Sequence, residues 1–113
     1  MEELAKSLKA VADKNRLRIL HLLQTRTMCV CELAFVLGIT QPSVSKHLKK
    51  LSEADIIESE QDHFWTNYCL KDSDETANAI LSCLKRRLIN DPVLKKDLEK
   101  LKKTDRTRLC CKK

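Results

Sequence analysis

Apolar residues recur at helical spacing along most of the chain. Leu4, Leu8 and Val11 fall at i, i+4 and i+7, on one helical face. Asp13 offers an N-cap for a second helix over residues 14–24. Its apolar face is built from Leu17, Leu20 and Leu23 and widened by Ile19 and Leu22. Thr25-Arg26-Thr27 is a polar break. A third helix is predicted from Val30 to Leu37, ended by Gly38 as a left-handed C′ residue. Ile39-Thr40 completes a tight turn, and Thr40 or Gln41 caps a fourth helix running to about Ala54. Pro42 lies in its first turn, where a missing N–H costs nothing, and Val44, Leu48 and Leu51 face inward.

The period then changes. Residues 56–59 and 64–70 are rich in β-branched and aromatic side chains, which predicts a two-stranded hairpin with its turn over Glu60 to His63. Phe64 and Trp65 are expected to pack this hairpin on the core. Asp72-Ser73 offers caps for a fifth helix over residues 74–90, with Ala77, Ile80, Leu81, Leu84 and Leu88 on one face. Asp91-Pro92 opens a last helix carrying Leu94, Leu98 and Leu101. The predicted fold class is mostly α with a β-hairpin wing (α+β), a winged helix-turn-helix. Residues 1–103 are expected to form one folded domain, and residues 104–113 a basic, cysteine-containing tail.

Composition narrows the picture. A length of 113 residues argues for one domain, and 42% hydrophobic residues build a modest core that a partner subunit would help to bury. Charged residues at 34% and a single glycine suit helices better than a sandwich or barrel. A formal net charge of +6 draws polyanions, nucleic acid above all. No apolar run approaches the roughly 20 residues of a membrane helix, so no membrane partner is expected. The acidic, amphipathic start Met1-Glu2-Glu3-Leu4 is unlike a secretory signal, so a cytoplasmic location is expected. In that compartment the six cysteines read as free thiols, buried residues or ligands rather than a disulfide framework.

Two short helices joined by a tight glycine-containing turn describe a helix-turn-helix, with residues 31–37 as support and residues 42–52 as reader. In that geometry the start of the second helix enters the major groove. Gln41, Ser43, Ser45, Lys46 and His47 stand there. Gln bonds an adenine edge bidentately, Ser donates or accepts, and Lys reaches guanine or phosphate. Lys49 and Lys50 extend the basic face toward the backbone. The bland alternative is an ordinary solvated helix face. The Gly turn, the hydroxyl residues at the helix start, the clustered base and the hairpin that follows all favour the DNA reading.

The segment Leu8-Lys9-Ala10-Val11-Ala12-Asp13-Lys14-Asn15-Arg16-Leu17-Arg18-Ile19-Leu20 resembles the opening of the ArsR/SmtB family of metal-responsive repressors. So do Cys29-Val30-Cys31-Glu32-Leu33 and Gln41-Pro42-Ser43-Val44-Ser45-Lys46-His47-Leu48, and the resemblance covers most of residues 4–90. It implies a homodimer joined through the first and fifth helices, with Leu4, Leu8, Ile80, Leu84 and Leu88 as interface candidates. A two-fold dimer reads an inverted repeat in double-stranded operator DNA. The wing turn, Glu58 to His63, is acidic where family wings often carry Arg, Lys and Gly. Little DNA affinity is therefore expected from it.

Cys29 and Cys31 sit where the supporting helix begins. Thiolate is the ligand form, a helix N-terminus favours negative charge, and thiolates select soft ions. The family likeness makes this pair an arsenite, antimonite, cadmium or lead site. On a regular helix, residues i and i+2 point about 200° apart. Both sulfurs face one ion only if the first turn unwinds or Cys29 lies outside it. The rival reading buries Cys31 in the core and leaves Cys29 incidental. Arsenite-type sites prefer three thiolates; in one pattern of the family this chain resembles, the third comes three residues after the second Cys, a position that is Ala34 here. Cys110 and Cys111, flanked by Arg106, Arg108, Lys112 and Lys113, are the leading source of a third sulfur. They also stand as a pair binding alone or as an incidental feature. Cys69 and Cys83 read first as buried apolar residues. The interface zinc site of some family members needs Asp and His on the fifth helix, and residues 74–90 hold no His. His21 is expected to be structural.

The functional expectation is a repressor released when As(III) or Sb(III), its inducer, binds these cysteines, with no organic cofactor. A cadmium or lead sensor and a thiol-redox repressor of the same fold are alternatives. So is a metalloid carrier without a DNA role. No Cys-His pair, phosphate-cradling Gly loop or carboxylate pair suggests an enzyme.

Overall fold

The computed structural model describes residues 1–71 and 75–104. Residues 105–113 of the predicted tail, with Cys110 and Cys111, and the expected Asp72-Ser73 cap of the fifth helix lie outside the described residues. Helix α1 spans Glu2–Val11, with Glu2 and Glu3 in the first turn and Lys9 in the last, each sign matched to the helix dipole. Helix α2 spans Lys14–Leu23. Asp13 caps it, one carboxylate oxygen accepting from the N–H groups of Asn15 and Arg16 at 2.8 and 3.1 Å.

A two-residue strand, β1 (Met28–Cys29), precedes helix α3 (Val30–Leu37). Gly38 ends α3 at φ +74°, and its N–H returns to the Ala34 carbonyl at 2.9 Å. Helix α4 spans Gln41–Glu53 and is capped by Thr40, whose hydroxyl accepts from Ser43 N–H at 3.3 Å. Strands β2 (Ile57–Asp62) and β3 (Trp65–Leu70) follow, then α5 (Glu75–Arg87) and α6 (Pro92–Lys102). Asp91 caps α6 through the N–H groups of Val93 and Leu94.

The sheet has three strands in the order β1-β3-β2, antiparallel throughout. The expected two-stranded hairpin thus gains a short third member, in which Met28 pairs Tyr68 and Cys29 pairs Asn67. Two residues were too short a run for periodicity to show a strand. The wing turn is also tighter than expected. Asp62 pairs Trp65, so Glu60 to Asp62 belong to β2 and only His63 and Phe64 make the turn. His63 takes φ +56°, the left-handed value that two-residue hairpin turns require. Phe64 does not pack on the core. It is 65% exposed at the wing tip, edge-on to Trp65 with ring centroids 6.4 Å apart.

The core is formed by Ile19, Leu20 and Leu22 of α2, Leu33 and Val36 of α3, and Val44, Leu48 and Leu51 of α4, with Met28 and Ile56. Each such side chain contributes about 1.5–3 kcal/mol by leaving water. This shared core fixes the angle between α3 and α4. Leu84, expected at a subunit seam, belongs to the same core instead and is 4% exposed. The α5 periodicity marked an apolar face without saying whether the same chain or a partner covers it. Ile80 and Leu88 also pack, half-buried, against this core. Leu4 and Leu8 are open, at 49% and 50% exposure. Cys83, expected to be buried, is exposed on α5, and Cys69 is half-buried on β3.

Candidate nucleic-acid interface and thiol pair

Helices α3 and α4, joined through Gly38, form the expected helix-turn-helix. Burial of Val44, Leu48 and Leu51 on the inner face of α4 turns Gln41, Ser45, Lys46, Lys49 and Lys50 to solvent. Ser43 is half-buried and tied to the cap, its Oγ accepting from the Thr40 hydroxyl at 3.1 Å. His47 is half-buried, and its Nδ1 accepts from Arg16 Nε at 3.1 Å. Arg16, Ser43, Lys46, His47, Lys49 and Lys50 line an open cleft, with Glu53 its one acidic wall. Four of those six side chains are Lys or Arg, so the cleft is built for an anion. Arg16 lies in α2, outside the helix-turn-helix. Its contact with His47 spans 31 positions, which no local pattern reveals.

The acidic side chains of the wing, Glu58, Glu60 and Asp62, all lie exposed on β2. Asp62 also stands 3.9 Å from His63 Nε2.

The thiol pair sits at the junction of sheet and helix. Cys29 is the N-cap of α3, with extended backbone at φ −97° and ψ 173°, so it stands outside the helical turn. The separation of about 200° between positions i and i+2 on a regular helix therefore does not bind this pair. Glu32 accepts from the Cys29 N–H at 3.0 Å, while the Cys29 side chain receives the Glu32 N–H, a reciprocal cap. A Glu three residues beyond a small polar residue is the usual signature of this box; here Cys takes the place of Ser or Thr. Glu32 is itself buried and ion-paired with Arg26 at 3.0 Å. Cys29 is 2% exposed.

Cys31 is half-buried, and its sulfur accepts from Gln41 Nε2 at 3.6 Å. One cysteine is thus built into the cap of the supporting helix and the other touches the first residue of the reader helix. Burial pushes the Cys69 thiol up, and Glu58 and Glu60 add to the effect, so it is held away from the thiolate form a ligand needs. Among the described residues no group of three or more His, Cys, Asp and Glu side chains is placed to hold a metal ion. Two sulfurs are near α3; a third would have to come from elsewhere. No described helix is long and apolar enough to cross a membrane.

Residues 13–59 match the family described as bacterial regulatory protein, arsR family. The chain is 41% identical over 75 residues to the arsenical resistance operon repressor of Bacillus subtilis (strain 168), covering 66% of this chain and 70% of that protein. Among solved structures, the transcriptional repressor BigR from Xylella fastidiosa superposes with a TM-score of 0.69 at 26% identity, over 80% of this chain and 88% of that one. The antimony-specific transcriptional repressor AntR superposes with a TM-score of 0.63 at 27% identity, over 80% and 79%. The cap of α3, the glycine turn and the basic reader helix all fall inside the matched segment, and this chain belongs to the arsR family as a winged-helix, DNA-binding transcriptional repressor, not an enzyme.

Proposed function

We propose that this repressor leaves its operator when As(III) or Sb(III) is captured by the thiolates of Cys29 and Cys31. The observation that carries this reading is the 3.6 Å contact between Cys31 Sγ and Gln41 Nε2. A sulfur bonded to a metalloid donates electron density to it and is a weaker, redirected acceptor for Gln41. Bonding to Cys29 acts on the other side, because a sulfur committed there no longer caps α3. Both changes fall on the helix that holds the reader in register. Both sulfurs are soft donors, which fit a thiophilic metalloid better than a hard cation. The relatives named for arsenical resistance and for antimony bear on the same choice.

The third sulfur is assigned to Cys110 or Cys111. Helix α6 docks on α3 with Lys100 Nζ 4.8 Å from the centre of the Phe35 ring, and Phe35 lies one helical turn beyond Cys31. Thr104, the last described residue, is six positions before Cys110, a reach of about 20 Å for extended chain. The tail of the same subunit or of the partner supplies this sulfur.

The repressor acts as a homodimer on an inverted repeat, with Leu4 and Leu8 in the seam. Gln41, Ser43, Ser45 and Lys46 read bases, and His47, Lys49 and Lys50 hold the backbone. A coupling of about 1–3 kcal/mol between inducer and DNA corresponds to about 5–150-fold weaker operator binding.

The test is an operator titration followed by fluorescence anisotropy with and without arsenite. Wild type should lose affinity, and Cys29→Ser and Cys31→Ser should not respond. X-ray absorption should count three sulfurs in the full chain and two in a chain cut before Cys110. Undiminished operator binding at saturating arsenite and antimonite refutes the reading.

A further inference from the structure

We propose that Arg16 and His47 form a clamp for one phosphodiester of the operator backbone, with Arg16 setting which imidazole nitrogen carries the proton. The pair joins three elements. Arg16 Nε donates to His47 Nδ1 at 3.1 Å, and its Nη1 donates to the Ala10 carbonyl at 3.2 Å, near the C-terminal end of α1. Ala10 O draws on the negative end of the α1 dipole, which holds a cation well. The guanidinium is therefore locked between α1 and α4 before any DNA arrives.

Two consequences follow from donor counting. A guanidinium has five N–H groups, and those not given to His47 and Ala10 find no acceptor among the described residues. They line a cleft of about 490 Å³ shared with Lys46, Lys49 and Lys50. No described carboxylate pairs with Arg16. The second consequence concerns His47. Its Nδ1 must be an acceptor, since Arg16 Nε can only donate. The neutral ring then carries its proton on Nε2, as a donor. Arg16 and His47 thus present donors to one cleft, and a phosphate offers the acceptor oxygens that such a pair needs. Backbone contacts of this kind fix orientation rather than sequence. The ordering is achieved in the free protein, so DNA binding does not have to fix these side chains.

This clamp does not depend on the inducer. Arg16→Gln should weaken operator and unrelated duplex alike by about tenfold and flatten the slope of log affinity against log salt by about 0.9. Arg16→Lys keeps the charge without the planar fork, so it should keep the salt slope while losing a few-fold in affinity. Two-bond proton–nitrogen correlation spectra should show His47 as the Nε2–H tautomer in wild type and a mixture of tautomers in Arg16→Lys. A purely structural role for Arg16 would not move the salt slope. A wild-type proton on Nδ1 overturns the proposal. So does an Arg16→Gln protein with a native circular dichroism spectrum, an unchanged slope and affinity within twofold of wild type. If Arg16→Gln does not fold, the wild-type tautomer and the affinity of a folded Arg16→Lys decide: a loss below about twofold in the latter overturns the proposal.

Discussion

Arg18 and Asp97 form a two-pronged ion pair, Nε and Nη2 each reaching a carboxylate oxygen at 2.9 Å. The pair fastens α6 to α2, and the same Arg18 Nη2 reaches the Leu37 carbonyl at 3.4 Å, near the end of α3. Asp97 is 4% exposed, so a single deletion strands a cation beside a dry surface. Asp97→Ala should cost about 3 kcal/mol. Asp97→Asn, which keeps one acceptor, should cost less. Urea unfolding should show a lower midpoint at unchanged slope. A loss below about 0.5 kcal/mol would mean that α6 is held by Leu94 and Leu101 alone.

Much of this architecture was legible in the sequence, for local reasons. The α3 boundaries and the Asp13, Thr40 and Asp91 caps follow from residues within three positions of one another. The glycine turn at residue 38 is equally local. What stayed hidden is long-range. Strand β1 exists only because Met28 and Cys29 meet Tyr68 and Asn67. Asp97 reads as one more polar helix residue until Arg18 is found opposite it. Leu84 and Leu8 have the same apolar pattern, yet one is buried by its own chain and the other is open. The spacing of Cys29 and Cys31 is plain in the sequence. The contact of Cys31 with Gln41 is not.

The turn of the helix-turn-helix rests on a left-handed backbone. Gly38 sits at φ +74°, and a Cβ added there would meet nothing within 4 Å. The cost of substitution is therefore conformational rather than a clash. Gly38→Ala should destabilise by about 1 kcal/mol, seen as a fall in melting temperature of about 5 °C. Gly38→Asn should lose less, because Asn enters this region more readily, and Gly38→Val more. Equal losses for Ala and Asn would point to a cause other than φ.

His21 sets an acid limb on stability. Burial pushes its imidazole below the ordinary value of 6.5, while Asp97 and Asp91 pull weakly the other way. Its Nδ1 is buried and finds no hydrogen-bond partner among the described residues. The unfolded chain therefore takes up a proton more readily than the folded one. Stability from this group is full above pH 6.5 and falls as pH drops below it. His21→Leu should flatten the decline between about pH 7 and pH 5 relative to wild type. It should also raise stability at neutral pH by about 1 kcal/mol, because the unpartnered nitrogen is gone. Parallel pH profiles for the two proteins would contradict this.

Leu4 and Leu8 lie one turn apart on α1 and leave half their surface in water. The proposed seam covers them. The double variant Leu4→Glu/Leu8→Glu should sediment as a monomer at micromolar concentration while keeping its helical spectrum. Its affinity for a full inverted repeat should fall by about a hundredfold or more, toward that for a single half-site, because linkage of the two readers is lost. A dimer that survives both charges places the seam elsewhere on the chain.

The contact of Cys31 with Gln41 separates two roles of one sulfur. In the free protein it is an acceptor for Gln41 Nε2; in the proposed switch it is also a ligand. Cys31→Ser keeps an acceptor at nearly the same place, whereas Cys31→Ala keeps none. Without inducer, the Ser variant should bind operator within about twofold of wild type. The Ala variant should lose about three- to tenfold, the cost of one weak hydrogen bond and of ordering Gln41 on binding. The loss should vanish in the background of Gln41→Ala, where no side chain remains to be held, so a double-mutant cycle isolates it. Both variants should fail to respond to arsenite. If Ala and Ser bind alike without inducer yet both ignore arsenite, Cys31 is a ligand only, and the coupling to the reader runs through Cys29 and the cap of α3.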